Sequence, residues 1–159
     1  MKVAILTVSD KGYKGEREDT SGQAIREVLE KMGAEVVARK IVPDEKEMIK
    51  KELVDFCDQL KVDVVLTTGG TGLAPRDVTP EATAEVIDRL APGFVEAIRA
   101  ESMKITPHAL LSRAMSGLRG QTLIVNLPGS ERAVREGLAV ILPALPHAVE
   151  ILQGKTEHQ

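Results

Sequence analysis

Residues 62–72 read VDVVLTTGGTG, and this stretch decides how the rest of the sequence is parsed. From Val62 to Thr68 apolar and β-branched side chains follow one another with little alternation, the pattern of a strand covered on both faces, as in a parallel sheet. The strand runs directly into Gly69, Gly70, Thr71 and Gly72. Glycine there permits a tight turn at positive φ, or the close approach of a phosphate to the backbone, and each reading explains the residues equally well. No Gly-Lys-Ser/Thr follows as in a Walker loop, and the third glycine of the dinucleotide fingerprint is missing.

The same two-sided apolar pattern occupies Lys2 to Val8, and a second strand is expected from about Glu35 to Val42. Between them Thr20 or Ser21 can cap a helix that carries Ala24, Ile25, Val28, Leu29 and Met32 on one face and stops at Gly33. Ile49, Leu53, Phe56, Cys57 and Leu60 fall at helical spacing, and Asp44 with Glu47 matches a capping box ahead of them. Downstream, Thr79-Pro80-Glu81 starts a helix predicted to end near Ala91. Further helix is predicted from Phe94 to Met115, interrupted at Pro107, then a short strand from Thr122 to Leu127. Pro128, Gly129 and Ser130 open a last helical region kinked by Pro143 and Pro146. The order β, α, β, α, β predicts right-handed crossovers and a three-layer αβα fold, with an open, mostly parallel sheet of Rossmann-like topology.

With 159 residues one domain is the default, predicted over residues 1–154 with a loose tail at 155–159. Apolar residues make up 43% and charged residues 28%, ordinary for a globular chain. No apolar run approaches the ~20 residues that span a bilayer, and Met1 to Asp10 lacks the pattern of a secretion signal, so the expectation is a cytoplasmic protein. A single cysteine, Cys57, excludes an internal disulfide and a cysteine-cluster metal site. The net charge of −3 and the absence of Trp argue against nucleic acid as a partner.

Ligands of open α/β sheets bind outside the carboxyl ends of the strands. The predicted strands deliver Ser9 and Asp10; Pro43, Asp44 and Glu45; Gly69, Gly70, Thr71 and Gly72; and Pro128, Gly129 and Ser130. Glycine turns expose amides to phosphate, and carboxylates hold the Mg²⁺ that accompanies phosphate. Asp44 is explained as well by an N-cap role, and Asp77, beside Arg76, by an exposed ion pair. Ser112 could cap or back-bond a helix, and the local pattern alone favours no catalytic role for it. His108, His147, His158 and Cys57 show no ligand spacing and read as structural or surface residues.

Six strings carry more information than these spacings: ILTVSD at Ile5 to Asp10, VPDE at Val42 to Glu45, TTGGTG at Thr67 to Gly72, PRDVTPEAT at Pro75 to Thr83, TPHALLSR at Thr106 to Arg113, and NLPGS at Asn126 to Ser130. Together they resemble the MogA/MoaB family, which includes the G domains of gephyrin and of plant Cnx proteins. The resemblance covers nearly the whole chain. It implies a homotrimer, and Mg²⁺- and ATP-dependent adenylylation of molybdopterin with release of pyrophosphate. It also implies hand-over of the product to a molybdenum-insertion protein. On it, the two essential aspartates, also the metal ligands, fall on Asp44 and Asp77. The pterin-binding serine falls on Ser112, and Ser9, Asp10, the 69–72 loop and Pro128 to Ser130 complete the substrate pockets. Two alternatives differ in kind. One is a MoaB-like protein that binds the pterin without catalysis, and the other a trimeric assembly module, for which a linker and second domain would be expected. The presence of both aspartates favours the enzyme.

Overall fold

The computed structural model describes residues 1–155, so positions 156–159 of the expected tail lie outside the described residues. Six strands form one sheet in the order β2-β1-β3-β6-β5-β4. Strands β1 (Lys2–Val8), β2 (Glu35–Val42), β3 (Val64–Thr68) and β6 (Thr122–Leu127) run parallel. Leu6 lies opposite Thr67, and Thr67 opposite Asn126. The chain leaves β1 first towards β2 and then returns to β3 on β1's other side, so the strand order reverses at the carboxyl ends of β1 and β3. A crevice opens at such a reversal.

Alternate side chains of the central strands point to opposite faces, and each face carries its own core. Val3, Ile5, Val64, Leu66, Leu123 and Val125 pack under α2 (Thr20–Lys31), α5 (Gly93–Met103), α6 (Glu131–Ile141) and α7 (Leu145–Leu152). Ala4, Leu6, Val65 and Ile124 pack against α3 (Lys46–Val54), its π-helical continuation Asp55–Gln59, and α4 (Thr79–Val86). The result is the three-layer αβα arrangement that the alternating pattern predicts.

The two outer strands have no counterpart in the sequence pattern, and they correct the helices expected around them. Helix α4 stops at Val86 and not near Ala91, because Ile87 turns extended and Arg89–Leu90 form β4 against β5 (Ser116–Arg119). Gly117 makes that pairing possible, since a Cβ there would meet the Ile87 side chain and the Arg89 carbonyl. The helix predicted from Phe94 to Met115 ends at Met103, a 3₁₀ turn covers Pro107–Leu111, and the chain re-enters the sheet antiparallel to β6. Strand β3 starts at Val64 and not Val62, whose N–H caps the preceding turn through the Phe56 carbonyl.

Candidate active site

The carboxyl ends of β1 and β3 open into a cavity of about 540 Å³. Its floor is the turn after β3. Gly69 and Gly70 both take positive φ, at 96° and 71°, and a Cβ on Gly70 would collide with the Thr79 hydroxyl. Thr79 is therefore not the cap of α4. It is fully buried inside the helix, and its hydroxyl donates to the Gly69 carbonyl at 2.9 Å. Behind it the Thr83 hydroxyl donates to the Thr79 carbonyl at 2.9 Å. The Asn126 amide donates to Thr83 and Thr67 hydroxyls at 3.1 and 3.0 Å and accepts from the Met115 N–H at 3.0 Å. This chain of buried, satisfied polar groups fixes the floor from beneath.

Ser9, Asp44, Gly69, Gly70, Asp77, Gly129 and Ser130 all line this cavity. Ser9 caps the short helix α1 (Asp10–Tyr13), accepting from the Gly12 N–H, and Ser130 caps α6, accepting from the Ala133 N–H. Ser112 and Pro128 line a second, smaller cavity of about 200 Å³, together with Arg99, His108 and Asn126. Asp10, Thr71 and Gly72 line neither. Asp10 stands behind Asp44, Thr71 is buried with its carbonyl bonded to the Arg113 N–H, and the Gly72 carbonyl accepts from Arg113 Nε. The predicted residues thus fall into three sets: seven line the larger cavity, Ser112 and Pro128 the smaller, and Asp10, Thr71 and Gly72 neither.

Asp44 is not a helix cap. Glu45 occupies that position for α3 and makes no side-chain capping bond. Asp44 instead exchanges hydrogen bonds with Asp10: its Oδ2 accepts from the Asp10 N–H at 2.9 Å, and its N–H donates to Asp10 Oδ1 at 3.0 Å. Arg76 is bound to Asp10 and not to its neighbour Asp77, with Nε and Nη2 at 2.7 and 3.0 Å from the carboxylate oxygens. That hydrogen-bonded guanidinium, with the Asp44 N–H, holds the Asp10 carboxyl down at about 2. Burial pushes the Asp44 carboxyl the other way, above the usual range, with the charges of Asp10 and Asp77 adding to it. Arg76 is already bound to Asp10, so among the described residues the Asp44 and Asp77 carboxyl groups line the cavity with no side-chain cation bonded to either.

A divalent cation fits that deficit. Among the described residues no three His, Cys, Asp or Glu side chains form a complete metal site. Mg²⁺ does not require one, since it commonly takes one or two carboxylates and fills its octahedron with water and substrate phosphate. Asp77 Oδ2 already accepts from the Ala74 N–H at 3.0 Å, which orients the carboxylate.

The segment 17–21, from Arg17 to Ser21, also lines the cavity, and the sequence pattern alone does not single it out. Asp19, and not Thr20 or Ser21, caps α2 through the Gly22 N–H, and its carboxylate also accepts from the Thr7 hydroxyl at 2.8 Å and Arg39 Nη2 at 3.1 Å. The signal lies in Thr7, a hydroxyl inside an apolar strand, because such a group needs a buried partner.

Residues 4–147 match the protein family described as "Probable molybdopterin binding domain". The chain belongs to that family. Family relatives include a molybdopterin adenylyltransferase of Helicobacter pylori strain J99, 44% identical over 154 residues, covering 96% of this chain and 88% of the relative. The molybdenum cofactor synthesis protein cinnamon of Drosophila melanogaster is 46% identical over 149 residues, 93% of this chain but 25% of that longer protein. Among solved structures, the molybdopterin biosynthesis enzyme MoaB of Thermus thermophilus is 55% identical, covers 97% of each chain and superposes with a TM-score of 0.91.

Proposed function

We propose that this family member is a molybdopterin adenylyltransferase of molybdenum-cofactor biosynthesis. The observation that carries the reading is the meeting of Asp44, Asp77 and the Gly69-Gly70 turn in one cavity, in a chain 44% identical to a protein of that name. A terminal phosphate oxygen of the pterin attacks the α-phosphorus of ATP. The bond from that phosphorus to the bridging oxygen breaks, pyrophosphate leaves, and AMP stays joined to the pterin phosphate. The nucleophile is already an anion, so no general base of unusual pKa is needed; the work is alignment of two polyanions and neutralisation of charge.

In this reading Asp44 and Asp77 hold Mg²⁺, which supplies positive charge to the transferring phosphates. The amides of the Gly69-Gly70 turn and the α6 amino end beyond Gly129 and Ser130 face phosphate oxygens. Ser112 donates its hydroxyl to the pterin in the adjoining cavity. No helix among the described residues is long and apolar enough to cross a membrane. A cytoplasmic homotrimer that passes its product to a molybdenum-insertion protein completes the proposal.

A non-catalytic pterin-binding role is the second reading, favoured by the family's description as a probable molybdopterin binding domain. The assay that separates them is pyrophosphate release from purified protein with molybdopterin, ATP and Mg²⁺. Release that requires all three is expected, and pterin binding without release would establish the second reading.

A further inference from the structure

Ser112 and Ala114 line the smaller cavity and Asp77 the larger one, and Arg113, between the first two, ties its segment to the loop that carries Asp77. The Arg113 N–H donates to the Thr71 carbonyl at 2.8 Å. Its Nε donates to the Gly72 carbonyl at 2.8 Å and its Nη2 to the Asp77 carbonyl at 2.6 Å, so one planar group closes both ends of the 72–77 loop. Glu81, in the first turn of α4, takes N–H groups from both Nη atoms and fixes the plane of the fork. On the opposite side Arg99 donates from Nε to the Ser112 carbonyl at 3.2 Å and from Nη2 to the Ala114 carbonyl at 3.0 Å. Leu73, Ala74, Pro75 and Arg76 are all exposed, and the loop has no packed side chain of its own to set its course. Without Arg113 it retains the mutual bonds of Ala74 and Asp77 and the Arg76–Asp10 pair.

We propose that Arg113 is a positioning residue for adenylyl transfer: it sets the Asp77 loop in fixed register with Ser112, so that the group held in one cavity is aligned with the phosphates held in the other. The inference rests on the function proposed above. Its physical basis is the geometry of guanidinium, which donates to two carbonyls in a plane while facing a carboxylate. A lysine ammonium, a point charge on a flexible stem, cannot reproduce that arrangement. Misplacement of a reacting group by ~1 Å can cost about 100-fold in rate.

The test compares wild type, Arg113→Ala and Arg113→Lys for thermal unfolding, pyrophosphate release with Mg²⁺ and molybdopterin varied separately, and molybdopterin binding by fluorescence. Arg113→Ala is expected to lower kcat at least about 10-fold and to raise the Mg²⁺ needed for half-maximal rate similarly, with pterin affinity changed less than about threefold. Millimolar guanidinium should restore part of that rate while leaving wild type unchanged. Arg113→Lys keeps the charge opposite Glu81, should show the same split in smaller measure, and carries the test if the alanine variant fails to fold. Unchanged kcat and Mg²⁺ dependence in these variants, or a loss that only follows the folded fraction, would overturn the positioning role alone. A wild-type protein that releases no pyrophosphate would overturn the adenylylation reading and this one with it.

Discussion

Asp44→Asn separates the stability of this fold from its chemistry more cleanly than any other single change. The side-chain oxygen of asparagine can still accept the Asp10 N–H, now 2.9 Å from Asp44 Oδ2, and the Asp44 N–H still donates to Asp10. What disappears is a carboxylate whose ionised form is disfavoured by burial and by Asp10 and Asp77. Because the folded-state pKa of Asp44 is raised, its ionised form detracts from stability at neutral pH. That penalty fades as pH falls through the raised value towards 3.8 and below. At pH 7 the variant should therefore be at least as stable as wild type, since asparagine keeps the hydrogen bond and removes a disfavoured charge. Turnover should fall at least about 100-fold, equivalent to roughly 2.7 kcal/mol of transition-state stabilisation. Asp77→Asn should fall by a similar factor, and the double variant by little more than either, since the shared ion is already lost. Calorimetric unfolding with and without Mg²⁺, beside the pyrophosphate assay, measures both sides. Mg²⁺ should raise the Tm of wild type and not of Asp44→Asn. In wild type that response should fade on acidification above the ordinary carboxylate range, as Asp44 takes up a proton. Adenylylation by Asp44→Asn within about 10-fold of wild type would refute the reasoning, and the metal would then have to be sought near Asp10 or Glu45.

Three further outcomes can be checked. Ser112→Ala should weaken pterin binding with about 1 kcal/mol or less lost in stability, since the hydroxyl's bond from the Ala114 N–H is long at 3.3 Å; equal binding and turnover would leave Ser112 a structural residue. The protein should scatter light as a trimer, about three times the 17.2 kDa chain, and a monomeric mass would contradict this. Cys57, pushed up to about 11 chiefly by burial, should resist alkylation at pH 8 until the protein is unfolded, and rapid labelling of native protein would show its pocket to be open.

The parallel half of the sheet is readable from sequence because its inner strands β1, β3 and β6 are mostly apolar on both sides and end in turn residues, from Val8 into Ser9 and from Thr68 into Gly69. The antiparallel half is not. Ser116–Arg119 is four residues long with a glycine and an arginine, and Arg89–Leu90 is an exposed pair, so neither shows periodicity. Their place in the sheet depends on Gly117 admitting Ile87, a contact between residues thirty apart. At the site, sequence can place Asp44, Asp77 and the glycines at strand ends but cannot tell a cap from a ligand. The spatial pairing of Asp44 with Asp10, with Glu45 at the cap position, rules out the cap. Thr79 misleads for the same reason: a hydroxyl before Pro-Glu has a local use at a helix start, and its actual partner, Gly69, lies ten residues back across the turn.

The polar chain beneath the cavity, from Asn126 through Thr83 and Thr79 to the Gly69 carbonyl, has a dynamic consequence. Thr67, Thr79, Thr83 and Asn126 are all excluded from solvent, so amide protons along this floor exchange only when the whole domain opens. The exposed tip of the 72–77 loop, residues 73–76, should exchange earlier, while Arg113 holds its two ends. The protein thus meets its ligands with a stationary floor, and of the neighbouring loop only Asp77, held through Arg113, reaches the cavity.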